Sequence, residues 1–468
     1  MKRLFIFKIF FLISLSNVIF AQNILNPNQD PTFSYWNKIE LYPELPKIAV
    51  SCTESSRHFL GCVRAINRLL QYTDKKLVFI PKKLVNKENK YLIQEIYADF
   101  YLIKNHAQIS YMSVNSQEFN QAVSEIDIRI YKKFSWGDLF KNIYAEIPKT
   151  YKSYALAKMI NTFLQTVYDS YTYIQPRDFL KSYEPLSASY HHNPTDENIK
   201  GYKIEIGAKK IIYMKINSFD VFSLGNNFKK IFQELGGYNQ LEGFILDLRD
   251  NQGGDVAQAA QILDFFIPHA GWPLGYIERF NQSEYYEITS TQDSLPLPLH
   301  TLVLINSQTK SAAEFLAGGL QNYGFAVVLG ETSFGKGTFQ EYYEIDGVTL
   351  YHPESDKNVL FKKTSGQLIL PSAKSYHHRG IVPDIEIITS TDKAERERSL
   401  LYTYPRLSQF DDIAIDPIRP VIQHDINQIR ECFKISKQYY QEYYQDKDII
   451  LLQAQKAFRC GWDTHILK

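Results

Sequence analysis

The segment GFILDLRDNQGGDVAQAAQILDFF, Gly243 to Phe266, constrains the fold more than any other stretch of the chain. A short unbroken apolar run reads as a buried strand, and it stops at an acidic, glycine-rich turn. After the turn, Val256, Ala259, Ala260, Ile262 and Leu263 fall at helical spacing. The pattern recurs at TLVLINSQTKSAAEFLAGGL from Thr301, where Leu302 to Ile305 and a polar turn lead into a small-residue helix through Leu320. Strand-like runs at Tyr202 to Ile216 and a short helical pattern at Phe228 to Leu235 come before it. Alternation of strand and helix predicts an α/β fold, with a largely parallel sheet flanked by helices and additional β structure after Gly337.

The flanks read differently. From Asn23 to Phe179 the patterns are mostly helical, clearest at Cys62 to Leu70 and Tyr151 to Val167, with one strand at Lys75 to Ile80. SASYHHNPTDENIKG, Ser187 to Gly201, is polar and broken by Pro194, the mark of a linker or exposed loop. Ala394 to Leu401 and Ile426 to Phe458 look helical around a proline-containing stretch at Asp416 to Pro420, and sequence leaves open whether this tail caps the sheet, dimerises or holds a substrate. The expected division is 1–21, 22–182, 183–398 and 399–468: a leader, a mostly helical domain, the α/β core and a helical C-terminal region.

Ser311 opens the helix after Thr301 to Ile305, where unpaired helical N–H groups and the helix dipole can stabilise an alkoxide or the oxyanion of acyl transfer. Lys336 lies between two glycines in GETSFGKGTFQ, where a loop can approach a hydroxyl closely. As a general base it must be neutral, so its pKa must fall from about 10.4 by roughly 3 units. Phe334 and Phe339 are candidates for excluding water around it. In a strand beginning at Gly337, Lys336, Thr338 and Gln340 share one face, and the neutral Gln340 amide can orient the amine without restoring its charge. The Gly254 and Ala312 amides are the candidate oxyanion donors. Taken singly, each residue has a plainer reading: a helix cap, a solvated lysine, a surface glutamine.

These segments together resemble the tail-specific or carboxyl-terminal processing serine peptidases, family S41, whose members use a Ser-Lys pair. ILDLRDNQGG resembles the family's strand and Gly-Gly turn, and NSQTKSAAEFLAGGLQNYG its nucleophile segment, with Asn306, Ser311, Ala312 and Glu314 on matching positions. The resemblance implies Ser311 as nucleophile, Lys336 as base and Gln340 as the residue that orients it. GIVPDI, Gly380 to Ile385, resembles the closing motif, and TVYDSYTYIQPRDF, Thr166 to Phe179, an upstream one. The chain departs from the pattern at Gln308-Thr309-Lys310, which replaces Gly-Ser-Ala, and in the interval from Phe179 to Gly243, too short for a full PDZ module. The implied function is serine endopeptidase action on exported or unfolded polypeptides. The alternative is a secreted peptide-binding scaffold that retains the groove with little or no hydrolysis.

Composition narrows the partners. With 468 residues the chain has room for two or three domains, and 52 basic against 51 acidic side chains give no electrostatic signal for nucleic acid. No cofactor is expected: the Gly-rich turn lacks GxGxxG and GxxxxGK[ST]. No metal is expected either, since HExxH and CxxC are absent and the pairs His191-His192 and His377-His378 read as solvated loops. Met1-Lys2-Arg3 before the apolar Leu4 to Leu15, ending at Ala21, reads as a secretory signal, with a retained anchor as the alternative. The expected product is a periplasmic or secreted protein with no stable membrane span, and a homo-oligomer stays open. Cys52, Cys62, Cys432 and Cys460 fit an oxidising compartment, paired locally or across the ends.

Overall fold

The computed structural model describes residues 52, 59–73, 77–84, 127–148, 152–167, 169–176, 198–206, 209–221, 223–237, 241–280, 285–291, 295, 300–345, 359–387, 422–434 and 448–460. The expected leader, the pair His191-His192 and the helix at Ala394 to Leu401 lie outside them. The chain divides into two compact units, Met1–Ser182 with Gln340–Thr364, and Tyr183–Phe339 with Ser365–Lys468. A division into consecutive segments does not contain the excursion of residues 340–364, nor the inclusion of the C-terminal helices in the core unit.

Among the described residues of the first unit, helices are the largest part. The unit contains α1 (Phe59–Leu70), β1 (Leu77–Pro81), β2 (Asp127–Tyr131), α2 (Trp136–Glu146), α3 (Lys152–Val167) and β3 (Tyr173–Pro176). α1 turns Cys62, Val63, Ile66, Leu69 and Leu70 inward, an i, i+1, i+4, i+7, i+8 stripe, against Phe79, Phe140, Leu156 and Ile160. Polar contact fixes the register of helix on strand: Asn67 Nδ2 donates to Phe79 O at 2.7 Å and its Oδ1 accepts the Phe79 N–H at 2.9 Å. Cys62 is joined to Cys52 by a disulfide. Cys432, in the other unit, is also disulfide-bonded, while the Cys460 side chain is outside the described residues.

The second unit is built on six strands in the order β13-β10-β9-β6-β5-β4. They are β4 (Ile199–Ile206), β5 (Lys209–Ile216), β6 (Gly243–Asp247), β9 (Thr301–Ile305), β10 (Val327–Gly330) and β13 (Ile385–Glu386). All neighbours run parallel except the edge hairpin β4–β5. Alternation along each strand separates two cores. Ile212, Met214, Phe244, Leu246, Val303 and Ile305 pack with α4 (Leu224–Glu234), α5 (Val256–Asp264) and α6 (Ala312–Asn322). On the opposite face, Ile211, Ile245, Leu302 and Leu304 pack with α7 (Ile422–Lys434) and α8 (Ile449–Cys460) through Ile429, Ile450, Ala454 and Phe458. The parallel sheet is therefore covered on both faces, as near-continuous apolar strands require.

β4, β5 and α4 belong to this core, so residues 199–234 form sheet and helix of the core rather than a separate binding module. The extra β structure comprises β7 (Pro273–Arg279), β8 (Tyr285–Thr289), β11 (Thr338–Ile345) and β12 (Val359–Ile369). Within the second unit β12 pairs antiparallel with β7 over Gly366 to Ile369, and β7 with β8. Within the first, Val359 to Lys362 of the same strand pair with β3.

Candidate active site

Three loops leave the adjacent strands β6, β9 and β10 at their carboxyl ends, the edge where open α/β sheets bind ligands. They carry the Gly253-Gly254 turn, Ser311 and Lys336. Hydrogen bonds stitch the first two together: Thr309 Oγ1 donates to Leu248 O (2.9 Å), the Lys310 N–H to Asn251 O (2.9 Å), and Asn306 Nδ2 to Asp250 Oδ1 (2.8 Å). The third loop joins them where the Phe334 N–H donates to Thr309 O at 3.0 Å.

Ser311 is the N-cap of α6 with φ 55° and ψ −119°. A positive φ at a residue with a Cβ costs about 1–3 kcal/mol and persists only where the surroundings fix it. Here its N–H donates to Glu314 Oε2 at 2.9 Å, and its carbonyl accepts the Phe315 N–H at 3.0 Å and the Tyr376 hydroxyl at 3.2 Å. The turn opposite has no room for a side chain: a Cβ on Gly253 would lie 2.7 Å from Ser311 Cβ and 2.9 Å from Lys310 O, at a φ of +93°. The Gly253 N–H is taken by Asn251 Oδ1 at 2.8 Å. Among the described residues neither the Gly254 nor the Ala312 N–H has a hydrogen-bond partner.

Glu314, in the first turn of α6, is fully buried and joins the nucleophile segment to the lysine segment. Its Oε2 accepts the N–H groups of Ser311 (2.9 Å) and Lys336 (2.8 Å), and its Oε1 accepts the Gly335 N–H (2.6 Å) and the Ser333 hydroxyl (2.5 Å). Burial pushes the Glu314 carboxyl up to about 7, against the downward pull of those four donors. Sequence registered Glu314 only as a matched position. The signal for its role is the Ser-x-x-Glu spacing of a capping box, in which a residue three on reaches back to the N-cap amide.

Lys336 is 8% exposed, and its Nζ donates to Thr338 O at 2.9 Å. Gly337, next to it, is held on both sides: its N–H donates to His377 Nδ1 at 3.3 Å and its carbonyl accepts the Leu368 N–H at 2.8 Å. This corrects the solvated-loop reading of His377, which is completely buried. Two polar neighbours are no guide to exposure when the ring itself serves as a backbone acceptor. Phe334 is buried, with Lys310 Nζ 4.3 Å from its ring centroid, while Phe339 is only partly buried beside Arg279. Gln340 falls in the first unit, where its Nε2 donates to Thr364 Oγ1 at 3.2 Å.

Residues 210–387, which hold all three loops, match the model of Peptidase family S41. Over this stretch the chain belongs to peptidase family S41. It is 33% identical over 146 residues to the carboxy-terminal processing protease CtpA of Bacillus subtilis (strain 168), 31% of this chain and 28% of that protein. It is 24% identical over 203 residues to the chloroplastic carboxyl-terminal-processing peptidase 1 of Arabidopsis thaliana, 42% of this chain and 37% of that protein. The chain thus spans about a third of the length of these curated S41 relatives. Among solved structures it is similar to a photosystem II D1 C-terminal processing protease, with a TM-score of 0.34 and 21% identity over 43% of this chain and 50% of the other.

Proposed function

We propose that the chain is a serine endopeptidase acting on exported or unfolded polypeptides. Neutral Lys336 takes the Ser311 hydroxyl proton as the oxygen attacks the scissile carbonyl. The Gly254 and Ala312 amides receive the oxyanion. The protonated lysine then returns its proton to the leaving amine, and water resolves the acyl-enzyme. The observation that carries this reading is the Glu314 carboxylate, which holds the Ser311 and Lys336 backbones on one oxygen. The leader read in the sequence and the disulfides support a periplasmic or extracellular space for this activity. With residues 199–234 committed to the core, substrate is selected as an extended segment, by backbone pairing rather than by a terminal carboxylate.

Purified Ser311→Ala and Lys336→Ala variants are each expected to lose turnover of an unfolded protein by about 10³-fold while keeping their circular dichroism spectra. An acyl probe is expected to label Ser311 only when Lys336 is present. Full proteolysis by folded Ser311→Ala would exclude the mechanism. Reproducible peptide binding with neither labelling nor turnover would establish the scaffold reading instead. Matched substrates with free and amidated C-termini are expected to be cut alike; loss of cleavage on amidation alone would restore tail recognition.

A further inference from the structure

A side chain of the turn after β6, Arg249, reaches the start of the C-terminal helix α8. Arg249 stands two residues beyond the end of β6, on the turn that leads to Gly253 and Gly254, and its guanidinium grips two carboxylates at once. Toward the sheet, Nε donates to Asp247 Oδ1 (2.9 Å) and Nη2 to Asp247 Oδ2 (2.6 Å). Toward α8, Nη1 donates to Asp448 Oδ1 (2.5 Å) and Nη2 to Asp448 Oδ2 (2.7 Å). Both contacts are bidentate, the geometry in which guanidinium and carboxylate bind most strongly and with fixed orientation.

The Arg249 side chain is 11% exposed and that of Asp247 0%, whereas that of Asp448 is 43% exposed, so the guanidinium joins a buried carboxylate to one at the surface. Asp247 is also held by the Tyr213 hydroxyl at 2.7 Å. Asp448 in turn starts α8, accepting the Leu451 N–H at 3.0 Å on its Oδ1. From Arg249 the turn continues into bonded contact with the segment before Ser311, through Leu248 O, Asp250 and Asn251 O. The backbone on either side of Arg249 is thus hydrogen-bonded to residues 306–310, the segment that leads into Ser311.

We propose that Asp448 is a positioning residue for the reaction at Ser311: by gripping Arg249 from α8 it fixes the 247–254 turn, so the C-terminal region sets the rate of a step it does not touch. The kinetic half of this inference rests on the Ser311–Lys336 reading; the structural half does not.

Asp448→Asn separates the contact from the cap, because asparagine caps a helix as well as aspartate does but cannot supply the paired anionic oxygens. The variant is expected to show kcat lowered about tenfold with KM within about twofold of wild type. Hydrogen–deuterium exchange is expected to rise across residues 248–254 while α8 stays protected, and Asp448→Glu to recover part of the rate. Unchanged kcat and unchanged exchange would overturn the proposal. So would a loss of rate with equal deprotection of α8, since the helix would then have undocked as a whole. If the wild-type protein hydrolyses nothing yet exchange rises selectively at 248–254, the peptidase reading fails and the positioning contact stands.

Discussion

Burial moves the Glu314 carboxyl up to about 7, yet the four donors around it are arranged for an anion, which accepts and never donates. The folded pKa is raised above the unfolded value of about 4.3, so this group's contribution to stability is fully present below that value and lost as pH rises through about 7. Glutamine at this position does not titrate. The unfolding free energy of wild type minus that of Glu314→Gln, from urea titrations, is therefore expected to fall between about pH 4 and 7 and to level off above. Activity has the opposite sign, since only the anion can accept all four donors. At pH 8, Glu314→Gln turns an amide N–H toward backbone donors, and turnover is expected to drop by about ten- to a hundredfold. A stability difference that grew with pH would mean the carboxyl is ionised throughout.

Among elements, the packing of α8 on β6 has a sharp steric test. A Cβ on Gly243 would lie 2.1 Å from Phe458 Cε1, and Phe458 is completely buried. Gly243→Ala is expected to cost about 1–3 kcal/mol in urea denaturation. Phe458→Leu in the same chain is expected to recover part of that cost, a coupling that strict additivity would refute. Strands and helices of the core were legible in sequence because each obeys one period: β6, α5 and β9 fall within the stretches read from apolar spacing, and α6 runs two residues past Leu320, where its pattern ends. The partner of Gly243 was not legible. Phe458 lies more than two hundred residues along the chain, and no local pattern says which face of a sheet a distant helix covers. The site divided in the same way. Ser311 and Lys336 stood out by loop chemistry, whereas the role of Glu314 needed the meeting of two loops, and His377 needed the backbone of Gly337.

At the scale of the whole molecule, the cysteines test where it lives. Cys52 is bonded to Cys62, Cys432 is also in a disulfide, and among the described residues no cysteine is free. Protein recovered from its native compartment is expected to begin near Gln22, to take up no alkylating reagent before reduction, and to take it up at all four cysteines afterwards. A chain retaining residues 1–21 with four free thiols would reject export. α8 also follows every strand of the parallel sheet in the chain, although it covers the face formed by Ile211, Ile245, Leu302 and Leu304. A polypeptide threaded N-terminus first through a membrane pore delivers Ser311 and Lys336 well before Asp448. Until α8 arrives, half of the sheet is bare and Arg249 lacks its second carboxylate. On the export reading proposed above, order of emergence would make the Arg249–Asp448 contact one of the last to form in a translocating chain.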